Sequence, residues 1–235
     1  MTNAHISSAF DTDLEAVQAQ IMKMGGLVEN AIRLGMESLE TRDEDLAQQV
    51  RSADSSIDAL EEAINESAAR IIALRAPTAI DLRLILSVIK ISGNLERIGD
   101  YAKNMAKRTE VLSNADPISG STGTLHRMTR AVELMLKDAL DAYIHRDTAL
   151  AADVIARDVE VDQMYNALFR ELLTFMMEDP RNITACLHLH FISKNTERMG
   201  DHVTSIAEQV IYLADGKQPE EARPKADTTS TVTGG

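Results

Sequence analysis

Apolar residues recur every three or four positions along most of the chain, the period of an amphipathic helix and not of a strand. The run Ile85, Val88, Ser92, Leu95, Gly99, Ala102 and Ala106 alternates steps of three and four, which sets those positions on one face toward a bundle centre. Ile57, Leu60 and Ile64 mark the corresponding face of an earlier segment. Breaker residues fall where the periodic stretches end: Asp43, Pro77, Asp116-Pro117 through Gly123, Asp147 and Asp179-Pro180. They divide the chain into six predicted helices at roughly residues 11–42, 43–75, 77–112, 122–145, 147–178 and 180–214. At about 1.5 Å per residue the longer ones span roughly 45 Å. Pro77 and Pro180 suit a first helical turn, where a missing N–H has no intrahelical partner to lose, and Asp179 suits a cap.

The pattern is duplicated. RDEDLAQQVRSADSSID, Arg42 to Asp58, returns as RDTALAADVIARDVEVD, Arg146 to Asp162, with Arg42, Asp43, Leu46, Ala47, Val50, Asp54 and Asp58 each repeated 104 positions later. NLERIGD, Asn94 to Asp100, returns as NTERMGD, Asn195 to Asp201, at an offset of 101. The second copy has therefore lost three residues near the turn joining its last two helices, where deletion is tolerated. The fold class is all-α, a tandem pair of duplicated three-helix bundles with antiparallel neighbours. The expected division is residues 1–114 for the first bundle, with about ten flexible residues at its start, then a linker at 115–123. The second bundle covers 124–214, and residues 215–235 form a disordered tail poor in apolar side chains.

Composition supports helices: 44% of the 235 residues are hydrophobic, only 3% are aromatic and none is Trp. A formal charge of -13 and a pI near 4.9 repel phosphate backbones, which excludes direct nucleic-acid binding. The single cysteine, Cys186, allows no intramolecular disulfide and reads as a small buried hydrophobe in ITACLHLHFI. No basic segment with an apolar core stands at the amino terminus and no apolar run has the length of a bilayer span, so no membrane insertion and a cytoplasmic location are expected.

The candidate chemistry is acidic. Asp54 and Asp58, Glu96 and Asp100, Asp158 and Asp162, and Glu197 and Asp201 each stand four residues apart, one helical turn, on one face. Solvated helix faces carry such pairs routinely. These four recur at matching repeat positions, lie on the second and third helix of each bundle, and flank the apolar stripe instead of opposing it. Helix axes roughly 8 to 10 Å apart let two such shelves converge. Two like charges about 6 Å apart repel by roughly 2.8 kcal/mol at an effective dielectric near 20, so protons or a metal ion must relieve them. All-oxygen ligands suit iron, manganese, magnesium or calcium more than zinc. Arg97 and Arg198 adjoin Glu96 and Glu197 but point about 100° away, and are expected to pair with other helices. Gly99 and Gly200 each weaken a helix by about 1 kcal/mol relative to Ala, which implies close approach of a neighbouring helix or room for a metal cluster. His188 and His190 lie on different helix sides and form no i,i+4 metal pair; His202 follows Asp201. No Ser-His-Asp order, P-loop or dinucleotide glycine pattern is present.

At these residues the chain resembles the PhoU family of bacterial regulators of phosphate uptake and phosphate-starvation signalling. The resemblance rests on APTAIDLR at Ala76 to Arg83, NLERIGDYAKN at Asn94 to Asn104 and NTERMGDHVTSIAE at Asn195 to Glu208. It implies two three-helix bundles with acidic metal sites holding iron or zinc, manganese or magnesium being alternatives. The metal ligands would be Asp54, Asp58, Glu96 and Asp100 in one bundle and Asp158, Asp162, Glu197 and Asp201 in the other. It also implies a non-enzymatic adaptor between a phosphate ABC transporter ATPase and a sensor histidine kinase, peripheral to the inner membrane through its partners. Such an adaptor holds the starvation response off when phosphate is plentiful. Ser205 stands where the family often has Asn, Asn195-Thr196 replaces a commoner His-Leu, and Ala76 replaces Gln; the first two point to weaker metal binding in the last helix. Flat helix faces make a homodimer a candidate assembly. Two alternatives stay open. A di-metal carboxylate enzyme is one, although none of the six histidines lies three residues after a Glu. A metal-free helical adaptor is the other.

Overall fold

The computed structural model describes residues 2–118 and 120–217. It contains α1 (Thr2–Thr41), α2 (Glu44–Arg75), α3 (Ala79–Ser113), α4 (Ser121–His145), α5 (Thr148–Glu178), a short 3-10 turn (Pro180–Asn182) and α6 (Ile183–Asp215). The duplication is visible in the caps. Arg42 and Arg146 both adopt left-handed backbone, φ 56° and 53°, which ends one helix. Asp43 then accepts the Leu46 N–H, and Asp147 accepts those of Ala149 and Leu150, which starts the next helix. The backbone N–H groups of the two aspartates bond back to Ser38 and Ala142, each at 3.0 Å. One turn has been copied with its hydrogen bonds.

Several boundaries differ from the sequence expectation. The first helix begins at Thr2 instead of residue 11, so α1 takes in the start of the chain. No Pro or Gly interrupts the chain before Gly25, and Ile6, Phe10, Leu14 and Val17 keep the helical spacing. Pro77 lies outside α3: Ala76 closes α2 in left-handed backbone, φ 45°, and Thr78 occupies the cap position. Pro180 opens the 3-10 turn, capped by Asp179, ahead of α6. The expected linker loses residues 121–123 to α4. Of the expected tail, Asp215 ends α6 and Gly216 caps it at φ 75°, while residues 218–235 lie outside the described residues.

Within each half the three helices pack on one another, and the halves join through α3 against α6 and α1 against α4. Both cross-half pairs are antiparallel. Arg83 stacks on Tyr212, Tyr101 lies 5.7 Å from His202 and Arg108 meets His188, so one helix descends as the other rises. The predicted stripe from Ile85 to Ala106 is buried throughout, as are Ile57 and Ile64, with Leu60 partly so. One continuous apolar core runs through both halves, leaving α2 and α5 outermost. Cys186 is fully buried within it. Among the described residues no helix is long and apolar enough to cross a membrane.

A shared core is expected to couple the unfolding of the two halves. Leu140 of α4 is 2% exposed and lies against Gly25 of α1, whose lack of a side chain makes room for it. Leu140→Ala is expected to lower stability by about 2–5 kcal/mol. Urea unfolding followed by circular dichroism should show both halves lost in one transition.

Candidate functional site

The acidic pairs lie where α2 meets α3 and where α5 meets α6, with the two motif helices, α3 and α6, back to back at the centre of the molecule. In the first half Asp54 is buried, Glu96 and Asp100 are half-buried and Asp58 is exposed. Asp54 and Asp100 converge from their two helices on one positive charge. That charge is the ammonium of Lys103, which donates to Asp100 Oδ1 at 2.9 Å and to Asp54 Oδ2. Lys103 stands one turn beyond Asp100, so its side chain folds back to the crossing of α2 and α3. Partial burial favours its neutral form, but the hydrogen bonds and charges of Asp100 and Asp54 outweigh that and hold it firmly protonated.

The carboxyls respond to one another. Desolvation, the charge of Asp100, a hydrogen bond donated to it and the charge of Glu61 push Glu96 up to about 7. Burial also works against ionisation of Asp100, yet Lys103, the bond from Glu96 and the charge of Arg97 leave it low. Desolvation together with Asp54, Asp100 and Glu61 raises Asp58. Glu61 thus belongs to the cluster. Its place one turn past Asp58 on the same helix was the available signal for it, as was the place of Lys103 after Asp100. Arg97 corrects an expectation: it pairs with its own neighbour Glu96 at 3.3 Å and with Asp100 at 3.7 Å, because its long side chain curls back along the helix. At 61% exposure that pairing contributes little.

The second half has matching backbone and different chemistry. Asp158, Asp162 and Glu197 are all buried and Asp201 half-buried. The counterpart of Lys103 is Thr204, and the counterpart of Gly93 is Lys194, whose ammonium lies 3.0 Å from Glu197 Oε2 and 4.8 Å from the centre of the Tyr165 ring. The glycines also differ. A side chain at Gly99 would meet Ile57 at 3.0 Å, a helix crossing, whereas one at Gly200 would fall 2.7 Å from Asp158 Oδ1. Gly200 therefore leaves the space that a buried carboxylate occupies.

Two contacts tie the clusters together. Asn94 Oδ1 and His202 Nδ1 lie 2.8 Å apart, and Arg198 is bonded to Tyr101, as expected of an arginine that pairs across helices. His188 faces Arg108 at 3.2 Å, and His190 lies among Tyr165, Phe169 and Phe191. Neither approaches the acidic clusters through any of these contacts. Among the described residues no three Asp, Glu, His or Cys side chains are arranged as a metal shell. In the first half the reason is plain, since an ammonium stands between the two converging aspartates. The second half buries three carboxylates, Asp158 beside Gly200 and Glu197 paired with Lys194 among them, all of them oxygen donors of the kind a hard cation takes.

A family model described as PhoU domain matches residues 21–109 and again 125–210, one match for each half. The chain belongs to the PhoU family. The phosphate-specific transport system accessory protein PhoU homolog of Caulobacter vibrioides is 45% identical over 226 residues, 96% of this chain and 98% of that protein. The homolog of the same description in Zymomonas mobilis is 49% identical, over 94% of this chain and 93% of its own length. The crystal structure of PhoU from Pseudomonas aeruginosa superposes with a TM-score of 0.85 at 41% identity, covering 88% of this chain and all of that one. The phosphate transport system regulatory protein PhoU from Streptococcus pneumoniae gives 0.83 at 26% identity, covering 90% of this chain and all of its own. The tandem architecture of three-helix bundles is that of PhoU.

Two outcomes follow from the geometry. Glu96 binds a proton in the folded chain between its ordinary 4.5 and about 7, where the unfolded chain releases it, so its contribution to stability is present at low pH and lost as pH rises through that window. Glu96→Gln should flatten the fall of the urea midpoint across this range. Gly99→Ala should be near neutral, because a gain of about 1 kcal/mol in helix propensity offsets a contact that Ile57 can relieve. Gly200→Ala should destabilise by roughly 1–2 kcal/mol once overpacking against Asp158 is set against the same gain, as thermal melts of the two variants would show.

Proposed function

We propose that the chain is a non-enzymatic accessory regulator of phosphate uptake. It contacts the ATPase of a phosphate ABC transporter and a sensor histidine kinase, and keeps the phosphate-starvation response off when phosphate is plentiful. The observation that carries this reading is the 45% identity with the Caulobacter vibrioides accessory protein homolog across nearly the whole of both chains. A cytoplasmic protein held at the inner membrane by its partners agrees with the lack of a spanning helix among the described residues. Against an enzyme stands the first acidic cluster, where Lys103 occupies both converging aspartates and leaves neither as a base.

An adaptor needs an exposed apolar face. Ile183, Leu187 and Phe191 form an i, i+4, i+8 stripe on α6, 42%, 42% and 48% exposed, and Leu173 and Met177 are exposed on α5. Such a stripe suits docking against a partner helix or groove. We assign cation binding, with iron or zinc as the first candidates and manganese or magnesium next, to the second cluster of Asp158, Asp162, Glu197 and Asp201. Its donors are oxygen only and mostly buried, which suits iron, manganese or magnesium, while zinc rests on the family resemblance. Elemental analysis of untagged protein should find metal that is lost in the D158N/D162N variant.

The regulatory reading is tested by deleting the gene in its native host and following a starvation-responsive promoter in high phosphate. Derepression that the intact gene reverses, and that a Leu187→Asp/Phe191→Asp variant does not reverse although it folds, is expected. Unchanged promoter output after deletion would overturn it.

A further inference from the structure

We infer that the first acidic cluster carries its cation in the chain itself: the ammonium of Lys103 fills the position between Asp54 and Asp100 and closes that half of the molecule to divalent metal. Three observations converge. Lys103 donates to one carboxylate from each of the two helices, so its ammonium lies between them. The Asp54 side chain is 8% exposed, that of Lys103 24% and that of Asp100 31%, so the contact is only partly open to bulk water and its ions. The matching position of the second half is Thr204, which has no charge to offer, and the nearby lysine, Lys194, pairs with Glu197 from the other end of the motif.

The charge balance is local. Asp54, Asp58, Glu61, Glu96 and Asp100 face Lys103 and Arg97, with Arg97 largely in water and Glu96 sharing a hydrogen bond with Asp100. A divalent ion entering between Asp54 and Asp100 would have to expel an ammonium that already satisfies both. Two cations cannot share that space without repelling at least as strongly as the carboxylates they neutralise. An ammonium also brings three donors and no preference for ligand number, so it closes the crossing without a full shell of oxygens. The difference between Lys103 and Thr204 thus helps to make the two halves chemically unequal. This claim concerns the first cluster alone and stands whether or not the second binds metal.

The test counts bound Mn2+ by electron paramagnetic resonance, with Zn2+ followed by calorimetry, on the full chain. Lys103→Met should bind one equivalent more than the native protein, the gain should vanish in Lys103→Met combined with D54N/D100N, and Lys103→Arg should show none. The D54N/D100N variant on its own should bind as much metal as the native chain. A loss of metal in D54N/D100N with Lys103 intact, or equal counts for the native chain and Lys103→Met, would overturn the inference. If Lys103→Met does not fold, the D54N/D100N comparison decides alone.

Discussion

Carboxylates at a helix crossing set the terms on which this fold can close. Each half brings acidic residues from two helices to the same contact, and each pair of like charges there repels by a few kcal/mol at the dielectric of a partly buried site. Apolar burial along α3 and α6 draws the helices together, and the same approach brings the charges together. The crossing is stable only where a positive group or a proton sits among them. In the first half Lys103 does this for Asp54 and Asp100, and Glu96 shares a hydrogen bond with Asp100. Stripping one partner from such a contact leaves an uncompensated charge, which is worse than never having formed it.

The placement of α3 and α6 compounds the constraint. Each must face its own bundle core, its acidic neighbour helix and the motif helix of the other half. Successive residues divide these tasks. In α3, Gly99 meets α2, Asp100 joins the acidic cluster and Tyr101 reaches Arg198 of the opposite half. In α6, Gly200 borders Asp158 and His202 reaches Asn94. The ERxGD spacing is therefore a way of serving three surfaces from one turn of helix, and a change in the middle of it is felt in all three.

Much of this was legible in the residues. The 3,4 spacing of Ile85 to Ala106 located the core face, the repeated Arg-Asp pairs located two turns, and the four-residue acidic spacing located both clusters on paired helices. What was not legible depends on side-chain reach or on local backbone choice. Lys103 is seven residues from Glu96 and three from Asp100, so its position on the acidic face follows from helical geometry. That its ammonium spans to α2 follows only from the separation of two helices. Arg97 points away at Cβ and returns at its guanidinium, which a direction drawn from the backbone misses. The start of α1 lacked a breaker, and the absence of a stop was weaker evidence than a stop would have been.

Duplication supplies the last step of reasoning, because it holds the backbone nearly constant while the side chains vary. Gly99 and Gly200 occupy one repeat position, yet the first accommodates an isoleucine and the second a carboxylate. Glu61 becomes Tyr165, Gly93 becomes Lys194 and Lys103 becomes Thr204. The first half has an additional acid and a lysine at the crossing; the second has lost both and moved its lysine to the motif's other end. Those differences compensate one another, since the acids without the lysine would leave the first crossing strongly repulsive, and the lysine without the acids would be a half-buried charge with no partner. Asp158, Asp162 and Glu197 are buried on the other side, where Lys194 pairs with Glu197. The two halves thus share a fold because they share a core, and they differ in chemistry because each balances its own acids.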